Sequence, residues 1–492
     1  MVNVRLCRMQ IFTEATKTLF LHQICNRIRR LTSAASFINI CFRMKAMTSA
    51  YTLVAVASTF VRRRGVRARP CRKAFAPVLL LLAMCVPTAA QIRASFADPA
   101  GGAVVTPRLP ALAVRVGIET FLADVPRSLR GKRVGLITNH TGIDRSRTPD
   151  IDLIAKHKEL KLVALLAPEH GIRGTVEAGE RIVDETDPKT GVTIYSLYQT
   201  EDRGPTPEML KDVDVLIYDL QEVGGRTWTY VSTMALAMQA AARKGIPFVV
   251  LDRPNPIGGE IVEGALLDPK FKSFVGMYPI PARHGMTVGE LATLFNRKYG
   301  IGANLIVARV ENWRRSQWFD ETGLPWVNPS PNLRSFAALM SYPGTVYFEG
   351  TNLTEGRGTD RPFEQIGAPW LDAREIARFM NERRLPGVRF EAITMPVAPT
   401  AAKHKGQTIP AIRFAVTDRR AYRPVRTSLL LIDEIRRRHP RDFAWTATID
   451  RLTGSDKVRL AIEGGKLLPL LKEWDREAAA FRENRKPFLL YR

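Results

Sequence analysis

Six short, largely apolar runs, interleaved with stretches of helical periodicity, constrain the fold of this chain more than any other feature. The runs cover 133–138, 161–167, 192–197, 213–218, 246–251 and 304–309. A strand with one wet face alternates apolar and polar residues, whereas a strand buried on both faces reads as a continuous apolar run. Between the runs, 150–159, 230–244 and 287–298 have the spacing of amphipathic helices, and Thr287-Val-Gly-Glu290 forms a capping-box pattern at the start of the last. The expected fold is α/β: a doubly wound, Rossmann-like parallel sheet covered on both faces. It is expected over 113–340, ending in the proline-rich stretch Leu324-Pro-Trp-Val-Asn-Pro-Ser-Pro331. Beyond it, 341–492 reads as a second, smaller α+β domain that completes a cleft, with helices near 372–383, 424–438 and 467–484.

The formal charge of +25 suggests nucleic acid until it is located. Residues 1–90 hold fifteen Lys/Arg against the single acid Glu14, and the remainder is only moderately basic, without basic blocks or aromatic-basic interleaving. No nucleic-acid partner is therefore expected. The basic stretch Arg62 to Lys73, a short leucine-rich core over 77–86 and small residues at Thr88-Ala89-Ala90 form a secretory signal pattern. The chain is expected to be exported to the periplasm or secreted, with no membrane span after signal removal. An uncleaved or lipid-modified anchor at Cys85 is the alternative, and translation starting at Met44 or Met47 would explain residues 1–43. Residues 91–112 form a Pro/Ala/Gly-rich tether. All five cysteines precede residue 91, so the body has no disulfide, zinc cluster or cysteine nucleophile.

Ligands of open parallel sheets bind outside the carboxyl ends of the strands. Four runs end in polar or glycine-bearing segments. These are Asn139-His140-Thr141-Gly142, Pro168-Glu169-His170-Gly171-Ile172-Arg173-Gly174, Asp219-Leu-Gln221-Glu222-Val-Gly-Gly-Arg226-Thr-Trp-Thr-Tyr230, and Asp252-Arg253-Pro254-Asn255-Pro256. No dinucleotide or triphosphate fingerprint, nucleophile elbow or H-E-x-x-H is present, so no cofactor or metal is expected. Carboxylates, histidines, arginines, amides and aromatics remain, a set suited to holding a sugar and doing acid/base work on it. Glu169, behind a proline after an apolar run, is the sharpest acid candidate; pairing with Arg173 is its bland alternative. Asp219 and Asp252 serve equally well as helix caps, and His140 and His170 as structural histidines. Arg226, Arg253 and Arg283 are candidate clamps for a substrate carboxylate, with ordinary ion pairs as the alternative. A second group lies in Phe348-Glu349-Gly-Thr-Asn352-Leu-Thr-Glu355-Gly-Arg357-Gly-Thr-Asp-Arg361-Pro-Phe-Glu364, where glycines among charges suggest a shaped loop over a cleft, with a tight interdomain turn as the alternative. Tyr342, Tyr347 and Trp370 are candidates for stacking on sugar faces.

These segments resemble the NamZ-like exo-β-N-acetylmuramidase family. The resemblance rests on Gly135 to Gly142, Ala167 to Gly174, Tyr218 to Gln221, Leu251 to Gly259, Arg283-His284-Gly-Met-Thr-Val-Gly-Glu290, Asn328 to Asn332, Tyr342 to Thr345 and Phe348 to Thr359, within a similarity spanning roughly 113–492. It implies release of N-acetylmuramic acid (MurNAc) from the non-reducing end of peptidoglycan-derived MurNAc-GlcNAc fragments, in a cleft between the two domains. It also implies that Glu169 is catalytic. Asp219, Glu349 or Glu355 is expected on the opposite face of the bond. One departure is Val223-Gly-Gly-Arg-Thr-Trp-Thr-Tyr230, where Val-Gly-Ala-Arg-Phe/Tyr-Tyr-Thr-Tyr is expected. Rivals outside this class are a non-catalytic periplasmic muropeptide-binding protein and a metal-dependent hydrolase built on Asp219, Asp252 and His170.

Overall fold

A computed structural model describes residues 112–168, 172, 185–200 and 202–492. The candidates Glu169, His170 and Arg173 lie outside the described residues, as do the leader, the tether before residue 112 and all the cysteines. Among the described residues the strands are β1 (Arg133–Thr138), β2 (Lys161–Ala167), β3 (Glu185–Thr186), β4 (Thr193–Ser196), β5 (Val215–Asp219), β6 (Phe248–Leu251), β7 (Glu263–Leu266), β8 (Pro281–Arg283), β9 (Leu305–Ala308), β10 (Gln365–Gly367), β11 (Val388–Pro396) and β12 (Thr408–Val416). The main sheet runs β3-β4-β2-β1-β5-β6-β9 and is parallel except for the short β3–β4 edge pair. Without β3, the six parallel strands have the dinucleotide-fold order 3-2-1-4-5-6, as the apolar runs foretold. The order reverses between β1 and β5, which pair from Val134↔Val215 to Thr138↔Asp219. Their carboxyl ends, Asn139 and Leu220, therefore open onto the crevice where such sheets bind ligands.

Alternate residues of the same strands enter two separate cores, which is why the runs are continuously apolar. Val134, Leu136, Val215, Ile217, Val249 and Leu251 face the helices Gly117–Ala123 and Asp150–Ala155. Ile137, Leu216, Tyr218, Phe248 and Val250 face the helices Thr229–Lys244 and Val288–Lys298. Thr287 caps the latter as the sequence pattern predicts: it accepts from the Glu290 N–H while Glu290 bonds back to the Thr287 N–H.

The second core continues without interruption into Tyr342, Phe348, Phe363, Phe414 and Leu429. The helix Phe336–Thr345 runs through residue 340. Beyond it β10-β12-β11 form an antiparallel sheet, with β11 and β12 in register from Val388↔Val416 to Pro396↔Thr408. The helices Ala373–Glu382 and Pro424–Arg438 cover it. Leu429, Leu431, Ile432 and Ile435 of the second are fully buried, each contributing about 1.5–3 kcal/mol. Among the described residues no helix is long and apolar enough to cross a membrane.

Candidate functional site

At the reversal of strand order the polar side chains turn inward and engage one another. Arg253 grips Asp219 with both branches, Nε to Oδ1 at 2.5 Å and Nη2 to Oδ2 at 2.8 Å, and also donates to the Ile143 carbonyl. Asp219 is wholly buried and Arg253 is 5% exposed. Asp150 lies beside them and accepts from the Thr138 hydroxyl at 2.5 Å. Burial, and next the Asp219 charge, push the Asp150 pKa well up. Burial raises Asp219 as well, against the Arg253 charge. The trio thus satisfies itself internally and offers no free group to a ligand. The pocket that Thr141, Gln221 and Arg253 share with Phe319 and Trp326 has a volume of about 10 Å³, the space of a single water and far too little for a sugar.

Several candidates move from the reacting surface to the framework for the same reason. Asp252, fully buried, accepts from the Thr287 hydroxyl, the Gly289 and Arg253 N–H groups and the Tyr491 hydroxyl, the last at 2.5 Å. With Asp219 held by Arg253, two of the three ligands of the metal-hydrolase reading are already engaged. Arg226 is 1% exposed and donates to the carbonyls of Ala265, Ile280 and Leu452. Arg283 is 2% exposed, donates to the Ile257 carbonyl and lies over Trp318. Neither guanidinium is placed to clamp a substrate carboxylate. Asn255 links the Met286 carbonyl to the Ile257 N–H. His284, fully buried, accepts the Met286 N–H at Nδ1, which puts its proton on Nε2, 3.3 Å from Glu222. Glu222 in turn accepts from the N–H groups of Gly224 and Gly225. Asn352 braces residues 442–444, and Tyr347 is a core residue.

Accessible surface among the described candidates is left on His140, Glu349, Asn352, Arg357 and Trp370, the last packed against His439. Arg357 donates from Nη1 to Glu349 at 2.6 Å and to Glu355 at 3.3 Å. The Glu349 side chain is 26% exposed and that of Glu355 is 6% exposed. Burial raises the Glu349 pKa; Arg357 opposes the shift and the Glu355 charge adds to it. Burial works against the Arg357 charge, but the two glutamates outweigh it and raise its pKa. This is a pair of carboxylates that share one guanidinium nitrogen.

A wall of aromatic rings joins the pair to the sheet edge. Arg357 lies over Phe363 at 5.1 Å, Phe363 meets Tyr342 at 5.1 Å, Tyr342 meets Trp228 at 5.6 Å, and Trp228 meets Tyr230 at 5.1 Å. The Tyr230 hydroxyl accepts from Asn139 at 2.8 Å and donates to the Pro329 carbonyl at 3.0 Å. Next to it, His140 Nε2 sits 2.7 Å from the Asn328 carbonyl. Asn139 also accepts from the Thr141 N–H and hydroxyl, and the Thr141 hydroxyl accepts the Gln221 N–H. Sequence reasoning selected Asn139, His140, Tyr230, Glu349, Glu355 and Arg357, and the structure brings them into this band. Trp228 and Phe363 lie within the segments marked in the sequence but were not singled out, because their value lies in linking two distant segments. Glu222 was also passed over, although a carboxylate just before Gly224-Gly225 is a legible acceptor for glycine N–H groups.

Comparison with known proteins adds a family and a fold. The sequence matches the family described as exo-beta-N-acetylmuramidase NamZ, N-terminal, over residues 134–337, and its C-terminal counterpart over residues 340–491. It is 45% identical over 381 residues to the peptidoglycan beta-N-acetylmuramidase NamZ of Bacillus subtilis (strain 168), covering 77% of this chain and 91% of that protein. Two crystal structures of DUF1343 family proteins from Bacteroides fragilis NCTC 9343 are similar. One has a TM-score of 0.72 at 33% identity, covering 78% of this chain and 100% of the other. The second has a TM-score of 0.61 at 32% identity, covering 77% and 99%.

Proposed function

The chain belongs to the exo-beta-N-acetylmuramidase NamZ family, and from that premise we propose how its described side chains serve the reaction. It is a glycoside hydrolase, an exo-β-N-acetylmuramidase that removes terminal non-reducing MurNAc from peptidoglycan fragments. The observation that carries the site assignment is the Glu349–Arg357–Glu355 cluster, in which Glu349 and Arg357 keep accessible surface, on the band that leads to Asn139.

Hydrolysis of a glycoside needs one group to protonate the departing oxygen and a second to support attack at the anomeric carbon. Glu169, two residues beyond the end of β2, is assigned the first task on the strength of the resemblance. Glu349, with Arg357 holding its Oε1, is assigned the second, and Glu355 supplies the neighbouring charge. Asp219 drops out of this role because Arg253 takes both its oxygens. Tyr342 and Trp228, 5% and 8% exposed, back the surface along which a pyranose would lie rather than forming it. A MurNAc-GlcNAc disaccharide is the smallest fitting substrate. The leader over 1–90 directs export to the periplasm in this reading, and N-terminal sequencing of the mature protein from the cell envelope tests it.

Incubation of the protein with MurNAc-GlcNAc, with free MurNAc followed by mass spectrometry, tests the assignment. Release that disappears in Glu169→Gln and falls steeply in Glu349→Gln supports it. Undiminished release from Glu349→Gln removes that residue from the reaction. Binding of the disaccharide by the unmodified protein without release would favour a muropeptide-binding role instead.

A further inference from the structure

The loop between β11 and β12 sends one lysine into the main chain that carries the glutamate pair. Lys403 Nζ lies 3.0 Å from the Phe348 carbonyl, 2.9 Å from that of Thr351, 2.7 Å from that of Leu353 and 3.5 Å from that of Glu349. It also lies 3.4 Å from Glu355 Oε2. Five oxygens thus surround an ammonium that has only three hydrogens to donate. Such a shell resembles a ring of carbonyls replacing the hydration of a small cation more than a set of discrete hydrogen bonds. The four carbonyls belong to the turn Val346–Gly350 and the segment just after it, the backbone that bears Glu349 and leads to Glu355. Next to it, His404 Nε2 sits 3.0 Å from the Asn352 carbonyl, so consecutive residues of the loop engage the same segment.

Charge supplies the second half of the argument. Glu349 and Glu355 share one guanidinium, so without another cation the cluster would carry an excess negative charge in a largely dehydrated place. Lys403 reaches Glu355 from the side opposite the shared contact, because it meets Oε2 whereas Arg357 meets Oε1. Its own side chain is 26% exposed, so the cage has a route to solvent.

We propose that Lys403 is a positioning residue whose ammonium acts as a tethered cation, closing a carbonyl cage under Glu349 and Glu355 and setting their geometry and charge for glycoside hydrolysis. The inference rests on the assignment of that pair to the reaction. Lys403 touches neither substrate nor reacting atoms; it acts through the backbone of 348–353 and through Glu355.

The test is chemical rescue of Lys403→Ala, with Lys403→Gln as a second variant that keeps more of the side chain's bulk. MurNAc release should fall by about 10- to 100-fold, the scale of losing charge-assisted hydrogen bonds. Ethylammonium should restore part of the activity and of the melting temperature along a saturable curve. Tetramethylammonium at equal ionic strength, lacking N–H donors, should not. The acidic limb of the kcat/KM profile should move to higher pH in both variants, because the carboxylates lose a cation, and return when ethylammonium fills the cage. Full activity in both variants, or a loss that no ammonium recovers, overturns the proposal. The underlying assignment fails separately, through undiminished turnover in Glu349→Gln and Glu355→Gln. In that event ethylammonium would raise the melting temperature of Lys403→Ala without touching its activity.

Discussion

Arg253 takes both carboxylate oxygens of Asp219, and the pair lies in the sheet edge where a ligand of this fold would be sought. Removing one partner leaves the other charged and buried. Asp219→Ala is therefore expected to cost about 3–5 kcal/mol, whereas Asp219→Leu combined with Arg253→Met should cost much less than the sum of the single changes. Urea unfolding of the parent, Asp219→Leu, Arg253→Met and the double variant checks this; additive losses would show that the two groups do not act as a unit.

Glu263 gives the fold a pH dependence of predictable sign. Its Oε1 accepts the Arg426 N–H at 2.7 Å, at the start of the helix Pro424–Arg438, while its Oε2 has no hydrogen-bond partner. Burial pushes its pKa up to about 7 despite that N–H and the charges of Arg283 and Arg423. An unfolded glutamate titrates near about 4.3. Between these values the folded chain keeps a proton that the unfolded chain releases, so stability falls as pH rises through this window and levels off above it. Glu263→Gln removes its share of the slope, leaving that of Asp252, which burial also raises to about 7. Its melting temperature should match the parent near pH 4.5 and exceed it at pH 8; parallel curves would refute the shift.

The pattern of apolar runs was enough for the sheet because burial on both faces is written directly into the sequence. The run 161–167 matches β2 from end to end, and the helices over 424–438 and 467–484 appear with the expected bounds. The helix expected over 150–159 stops at Ala155, where Lys156-His157-Lys158-Glu159 forms a polar turn. The β11–β12 pair was not resolved in advance because half its residues are wet, which weakens the apolar signal. Phe336–Thr345 was missed because Pro343, inside it, reads as a break. The site was less legible for a different reason. Charged residues after strands look alike whether they face a ligand or one another, and only the partner decides. Arg226 meets carbonyls from three distant segments, and Lys403 meets four from another loop; neither arrangement leaves a local spacing to read.

Arg357 is the group to which geometry assigns a specific shape of cation. One nitrogen of its guanidinium meets both glutamates while the plane lies over Phe363. A lysine keeps the charge but not the planar surface that stacks on Phe363 and fixes that nitrogen in place. Arg357→Lys should lower kcat/KM for MurNAc release by on the order of 10- to 100-fold with little change in melting temperature. A loss of stability matching the loss of activity would assign Arg357 to the framework instead.

The adjacent glycines Gly224 and Gly225 should respond to alanine in opposite ways, although both donate to Glu222. Gly224 has φ +86°, and a Cβ there would stand 2.4 Å from the Ile257 side chain. Left-handed backbone strain of about 1–2 kcal/mol adds to the overlap. Overpacking itself costs about 1–3 kcal/mol. Gly224→Ala should therefore loosen the Glu222–His284 contact and lower the urea midpoint. At Gly225 a Cβ would meet the Tyr342 ring at 3.4 Å, ordinary contact distance, and the backbone needs no positive φ. Gly225→Ala should leave stability within about 0.5 kcal/mol or raise it slightly by restricting the unfolded chain. The contact also bears on function, because Tyr342 is the ring that Thr227 and Trp228 touch. Three of the positions that depart from the expected family segment thus converge on one tyrosine of the wall. Gly225→Ala is expected to change KM for the disaccharide more than kcat. A change confined to kcat would mean that Tyr342 supports the reacting groups rather than the sugar.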